Sequence, residues 1–289
     1  MINIFRISGV IILIISVFLI HSCKKEKVPT LTTSAITNIT GTTATGGGTI
    51  TSEGSGTVIS RGVCWSTEHN PTIESSKTTN GSDTGSFESS IAGLTLGIMY
   101  YVRAYAINSI GTSYGNEVSF LTALAPGDSY QGGRIAYILK SGDPGYIEGE
   151  THGLIAAPSN QNTVGTEWGC FGTAISGADG KAIGTGNRNT IDIMNGCSIA
   201  GIAARLCGDL VLGGYSDWYL PSKDELEKLV INKEAIGGFS CETVCWSSSE
   251  FNDNEAWFGY FTCKSNPTSP SAWHYQKNSP YSVRAIRSF

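Results

Sequence analysis

Charge is scarce in this chain. Its 289 residues include 19 Lys or Arg and 24 Asp or Glu, a net charge of −5. Nucleic-acid binding needs clustered Lys and Arg to neutralise phosphates, so nucleic acid is excluded as the main partner. No zinc-type spacing of Cys and His occurs, and there are four His in all. Residues 127–289 lack the Gly-x-Ser-x-Gly turn of the common hydrolases. The 36 Gly follow no three-residue period, which excludes collagen. At 40% hydrophobic and 10% aromatic residues the chain has too much core-forming material for a disordered one. Its length predicts about two domains.

The apolar run Val10 to Ile20 is interrupted by Ser16 and preceded by Arg6. It is too short for a membrane span, which takes roughly 20 apolar residues, and has the form of a secretory signal. It ends in Leu19-Ile20-His21-Ser22-Cys23, which resembles a bacterial lipobox. The resemblance implies a signal peptide over 1–22, lipid attachment at Cys23 and a lipidated linker over 23–29. An ordinary signal peptide with an incidental Cys is the alternative. Lys24, Lys25 and Lys27 then lie at the membrane surface, where they attract anionic head groups. The expected partner is thus a membrane, reached through a lipid anchor. The expected location is the cell envelope, as an outer-membrane lipoprotein, with the periplasmic or external side left open.

Residues 30–123 read as all-β, with Thr/Val/Ile/Tyr runs between Gly/Ser/Asn clusters. In Tyr100 to Ala106, alternation puts Tyr100, Val102, Ala104 and Ala106 on one face and Tyr101, Arg103 and Tyr105 on the other. Leu94, Gly97, Tyr100, Val102, Ala104, Ala106, Asn108 and Gly111 stand at spacings that resemble fibronectin type III domains. In that family a tyrosine at the position of Tyr100 bonds back to the chain at a strand corner. A spacer is expected, or an adhesive module using Tyr101 and Tyr105 as exposed aromatics. Cys64 is expected to be a buried small hydrophobe.

Leu124-Ala125-Pro126-Gly127 marks the boundary. Strands are expected at Arg134–Leu139, Gly153–Ala157, Thr243–Ser249, Glu255–Thr262 and Ser282–Ser288. A helical pattern over Thr190–Leu212 is weakened by Gly196 and Gly201. Ser222 and Glu225 form a capping box ahead of Leu226, Leu229 and Val230. The blocks Gly213 to Ser222, Cys245 to Glu250, Ala256-Trp257 with Phe261, and Val283 to Arg287 occur in the order of the Lcl C-terminal domain family. That family takes its name from a collagen-like adhesin associated with sulfated glycosaminoglycans. The resemblance implies an α+β, C-type-lectin-like fold related to sulfatase-modifying factors over residues 127–289.

The sulfated ligand does not transfer easily, because residues 127–289 carry a net charge of −5 with scattered basic residues. Nor is the calcium-lectin pattern present: Asn266-Pro267 lacks an acidic neighbour. Asn252 to Glu255 reads as a solvated turn. Trp218, Trp246 and Trp257 are expected in the core. Trp168, Trp273, His274 and Tyr275 lie in loop-like stretches and combine flat rings with polar tips, which suits sugar stacking or packing over the hairpin.

Six cysteines in an exported segment favour disulfides. A hairpin turn near Asn252 makes facing positions sum to roughly 504–505, so Cys241 with Cys263 is the first pairing expected. Cys170 with Cys197 is the second. Cys207 and Cys245 form a third pair or stay as buried thiols. The enzymatic rival, formylglycine generation, uses a reactive cysteine pair, and the rest of that pattern is missing. The expectation is therefore a two-domain envelope lipoprotein, not an enzyme and without cofactor or metal, whose second domain binds a glycan or surface protein. The alternative is a structural assembly protein.

Overall fold

The computed structural model describes residues 25–162, 164–262 and 272–289. Cys23 and Cys263 lie outside the described residues. The first part runs β1 (Thr30–Thr33), β2 (Thr43–Ser52), β3 (Ser60–Ser66), β4 (Ser76–Lys77), β5 (Gly85–Ala92), β6 (Met99–Ile107), β7 (Thr112–Tyr114) and β8 (Val118–Leu121). One antiparallel sheet has the order β1-β2-β5. The other has the order β4-β3-β6-β7, and β8 also pairs with β6, along Met99–Val102. Between them lies an apolar core that includes Leu31, Ile50, Val63, Phe87, Ile91, Val102, Ala104 and Phe120. Such a two-sheet core is an antiparallel sandwich.

Gly48 of β2 shows how closely the sheets approach. A Cβ there would lie 2.6 Å from the Ala104 Cβ of β6, so only glycine fits. At the strand corner the Tyr100 hydroxyl accepts a hydrogen bond from the Thr95 amide at 3.2 Å. Tyr105 departs from the exposed position expected of it. Its ring lies over Gly62, where no side chain competes for space, and its hydroxyl donates to the Thr78 carbonyl at 2.7 Å. It is buried and offers no adhesive surface.

The second part runs β9 (Ser129–Tyr130), β10 (Gly133–Ile138), β11 (Gly153–Ala156), α1 (Gly186–Gly196), α2 (Ala203–Gly208), α3 (Lys223–Ile231), α4 (Lys233–Ile236), β12 (Thr243–Glu250), β13 (Glu255–Phe261), β14 (Ala272–Gln276) and β15 (Ile286–Ser288). Its sheets have the orders β15-β11-β10-β9 and β12-β13-β14. The expected long helix is broken into α1 and α2. Cys197 is extended and Gly201 takes a positive φ of 71°. Arg205 of α2 then donates to the Met194 and Cys197 carbonyls at 2.8 and 3.0 Å, giving partners to carbonyls freed at the end of α1. The capping box of α3 forms as expected: the Ser222 hydroxyl accepts from the Glu225 amide, and the Glu225 carboxylate accepts from the Ser222 amide. The buried face of α3 rests on β13, where Gly259 leaves room for Leu226 and Val230.

Among the described residues, the sandwich core draws its buried members from 31–120, and the two remaining clusters draw theirs from 136–286. No helix of the described residues is long and apolar enough to cross a membrane.

Candidate recognition surface

The hairpin β12–β13 and the strand β14 position the aromatic residues. Trp246 faces Phe258 across β12–β13, and Phe258 faces Trp273 across β13–β14. Ala256 faces Tyr275 and Trp257 faces His274. Strand alternation therefore sends Trp246, Phe258, Trp273 and Tyr275 to one face and Trp257 and His274 to the other. A β-bridge between Thr166 and Tyr281 brings Tyr281 onto the first face. Ring centroids there are 6.4 Å apart for Trp246–Phe258, 4.6 Å for Trp246–Tyr281, 5.2 Å for Phe258–Tyr281 and 6.1 Å for Tyr275–Tyr281. Trp246 is fully buried, whereas Trp273 and Tyr275 are 53% and 50% exposed. The rings thus form a ledge anchored in the core and open at the strand edge. Burial and the neighbouring Tyr275 push the Tyr281 phenol above its ordinary pKa.

The opposite face is built differently. The His274 ring stacks on Phe251 at 3.7 Å and meets Trp257 edge-on at 5.3 Å, and its Nδ1 lies 2.9 Å from Glu255. Lys181 and Lys223 place their ammonium groups 5.3 and 5.6 Å from the Trp257 ring. Lys223 is held by Asp224 and Glu227, each at 3.0 Å. Trp257 is half-buried, so it is not the core residue expected.

The fourth expected stacking residue, Trp168, lies on neither face. Trp168 is fully buried. Its indole N–H donates to the Ser247 carbonyl at 2.8 Å, and the Lys277 ammonium covers its ring at 4.7 Å. It is a core residue unavailable to a sugar. Conversely, Phe258 and Tyr281 were not singled out from the sequence. The register of β13 against β14 carries the signal for Phe258. Tyr281 sits between strands, where no periodicity points to it.

Of the cysteines, Cys170 and Cys197 form a disulfide with Cα atoms 5.8 Å apart. Cys207 and Cys245 are two buried thiols rather than a third bridge. Burial pushes both well up, Cys245 to about 12. Cys64 is likewise a buried thiol, raised by burial to about 11. Facing residues Thr243–Phe261, Val244–Tyr260 and Cys245–Gly259 keep the register that matched Cys241 to Cys263. The ladder stops there, because Glu242 turns out of it at a φ of 61°. Cys241 is exposed, and its expected partner Cys263 lies outside the described residues, as does that bond.

Asp217 pairs with Arg287 at 2.8 and 2.9 Å, which holds its carboxyl below the usual range. Glu250 pairs with Lys277. Each carboxylate is neutralised by its own cation. The letters Gly111-Thr112-Ser113-Tyr114-Gly115 match a nucleophile turn but lie on and beside the strand β7, and the Ser113 hydroxyl is buried without a hydrogen-bond partner. Among the described residues no three His, Cys, Asp or Glu side chains are grouped to hold a metal ion. At the hairpin tip, the Asn252 side chain accepts from the Asn254 and Glu255 amides, closing a turn.

No family model matches the sequence, and no curated protein matches it. Solved structures similar to part of the chain include the sensor domain of the anti-sigma factor RsgI4 in Pseudobacteroides cellulosolvens, 17% identical over 33% of this chain and 95% of that one, with a TM-score of 0.27. A myokine structure is 15% identical over 34% of this chain and 97% of that one, with a TM-score of 0.26. The FN1–FN3 domains of chicken CNTN1 are 14% identical over 34% of this chain and 32% of that one, with a TM-score of 0.26. Scores this low carry no argument about function.

Proposed function

We propose that this is a cell-envelope lipoprotein anchored through Cys23, with a recognition head that binds a glycan or a surface protein without catalysis. Residues 30–123 are the fibronectin type III-like spacer. Residues 127–289 are the head, of the C-type-lectin-like fold and the Lcl C-terminal kind. The separate apolar clusters on either side of Pro126 support two domains. The observation that carries the recognition role is the half-exposed pair Trp273 and Tyr275 on an aromatic ledge rooted in the core. Large flat rings held rigidly at a surface supply contact area at small entropic cost, which is why they dominate binding sites. The thiol chemistry needed by the enzymatic rival has less support, because Cys245 is buried and its thiol is pushed to about 12, leaving little thiolate.

The test is a glycan array probed with the chain lacking residues 1–23, alongside crosslinking on intact cells. Retention of one glycan class supports the reading. An empty array together with a recovered assembly partner turns it into the structural role.

A further inference from the structure

Lys27 is fastened to one end of the sandwich. Its carbonyl accepts the Ser55 amide at 2.9 Å and the Asn108 side-chain amide at 3.1 Å, and its own amide donates to the Ser55 hydroxyl at 2.9 Å. Asn108 is buried and spends the rest of its side chain at the same end. It donates to the Glu53 carbonyl at 2.8 Å and accepts the Ile110 and Gly111 amides at 2.9 and 3.1 Å. Gly54, at a φ of 78°, brings the β2–β3 loop onto the Lys27 and Val28 carbonyls, where a Cβ would collide with both. One buried side chain thus binds the start of the chain to the loops 53–59 and 108–111.

Strand register shows which end this is. Thr30 faces Ser52, Gly85 faces Ile50 and Ser60 faces Ile107, so the loops 53–59, 78–84 and 108–111 share it with Lys27. Thr43 faces Ala92 and Met99 faces Leu121 at the other end, from which the chain leaves the sandwich. The nine residues of β6 separate the two ends by about 26 Å. Four peptide steps join Cys23 to Lys27, a reach of at most about 14 Å. A lipid carried on Cys23 therefore keeps the clamped end at the bilayer surface. The exposed side chains of that end include the hydroxyls of Ser52, Ser55, Thr57 and Ser109 and the apolar Val28 and Ile59, 39% and 62% exposed. Hydroxyls suit the head-group layer, and aliphatic side chains suit the acyl boundary beneath it.

We infer that this end of the sandwich is a lipid-contacting face that rests on the bilayer, with Ile59 as its apolar contact. The inference rests on the reading of Cys23 as the anchor. The test uses the full chain, lipidated in cells and reconstituted in phosphatidylcholine vesicles that hold a lipid with a nitroxide on its head group. A fluorophore is attached through Thr57→Cys at the clamped end or Thr95→Cys at the far end, both exposed positions, in a Cys241→Ser, Cys263→Ser background. Cys64, Cys207 and Cys245 are buried, and Cys170 is bonded to Cys197. Quenching of the Thr57→Cys label should be at least about threefold stronger than that of the Thr95→Cys label, given the roughly 26 Å between the ends. Inserting about 15 Gly/Ser residues between Lys25 and Glu26 leaves the clamp intact and adds roughly 20 Å of reach, so quenching of the Thr57→Cys label should fall by about half or more. Ile59→Asp in that lengthened chain should remove the remainder, and thermal unfolding checks that every variant folds. Equal quenching of the two labels in protein that floats with the vesicles refutes the face while the anchor stands. Quenching that the insertion leaves untouched refutes the short tether as its cause, and no effect of Ile59→Asp refutes Ile59 as the contact. A chain that takes up no labelled palmitate and does not float removes the anchor reading and this inference together.

Discussion

The Lys277–Glu250 pair is the sharpest test of how the second part is held together. The Lys277 ammonium is fully buried, 2.5 Å from Glu250 and 2.8 Å from the Thr173 carbonyl, and lies against the Trp168 ring. Glu250 also accepts the Ile175 amide at 2.9 and 3.2 Å. One pair thus ties the end of β12, the segment after β14 and the loop that follows the disulfide. Lys277→Met leaves a buried carboxylate with a single amide donor. Removing one partner of a buried pair costs about 3–5 kcal/mol, because the remaining charge is uncompensated. The double variant Lys277→Met, Glu250→Leu leaves no charge, only the Thr173 carbonyl and the Ile175 amide unpaired. It should cost less than the sum of the single variants by at least about 2 kcal/mol. Urea unfolding followed by tryptophan fluorescence reads this part of the chain, since five of the six Trp lie beyond residue 127. With a slope of about 2 kcal/mol/M, the single variant should lower the midpoint by roughly 1.5–2.5 M. A loss under about 1 kcal/mol for Lys277→Met would mean that water reaches the pair through the exposed Phe171–Ala174 stretch, and the burial argument would fail.

Glu225 gives a pH prediction. Burial raises its folded pKa above the ordinary carboxylate value, against the pull of its hydrogen bonds to Ser222 and Gly184. A raised carboxyl contributes stability below the unfolded pKa and loses it as pH rises through the folded one. Glu225→Gln should therefore flatten the decline in stability above pH ~4.5 and cost least in acid, where both side chains are neutral; an unchanged pH slope refutes this. Maleimide under native conditions should label Cys241 and leave Cys64, Cys207 and Cys245 until unfolding; native labelling of Cys245 would contradict its burial. Cells grown on labelled palmitate should label the protein, and label retained by Cys23→Ala would exclude the anchor at that residue.

Local chemistry was legible in the sequence, and distant contacts were not. The capping box of α3 involves residues three apart, and Ser222 and Glu225 announce it. The hairpin register followed from its turn, so the facing pairs near Cys245 came out as expected. The break between α1 and α2 followed from two glycines. Trp168 shows the opposite case. Its burial depends on Ser247, 79 positions away, and on Lys277, and nothing near Trp168 encodes either. Tyr105 failed for a related reason: alternation put it on the outer face, but Gly62 on β3 leaves a slot that draws the ring in. Trp273, His274 and Tyr275 were named together, although alternation alone separates His274 from the other two. Only the pairing of β14 with β13 shows that the separation matters, because the two faces carry different chemistry.

The motif blocks that carry the resemblance turn out to serve the framework. Arg284 is fully buried, donates to Asn160 and to the Ala157 and Gly238 carbonyls, and burial lowers its pKa to about 10. Arg287 locks Asp217 and Gln131. Glu250 holds Lys277. Each of these charges is spent inside the molecule on placing a loop or a strand end. The ring pair on β14 lies outside those blocks, on a strand whose far edge pairs with no described strand. Exposed side chains there can change with little cost to the core, whereas a change at Arg284 or Glu250 strands a buried group.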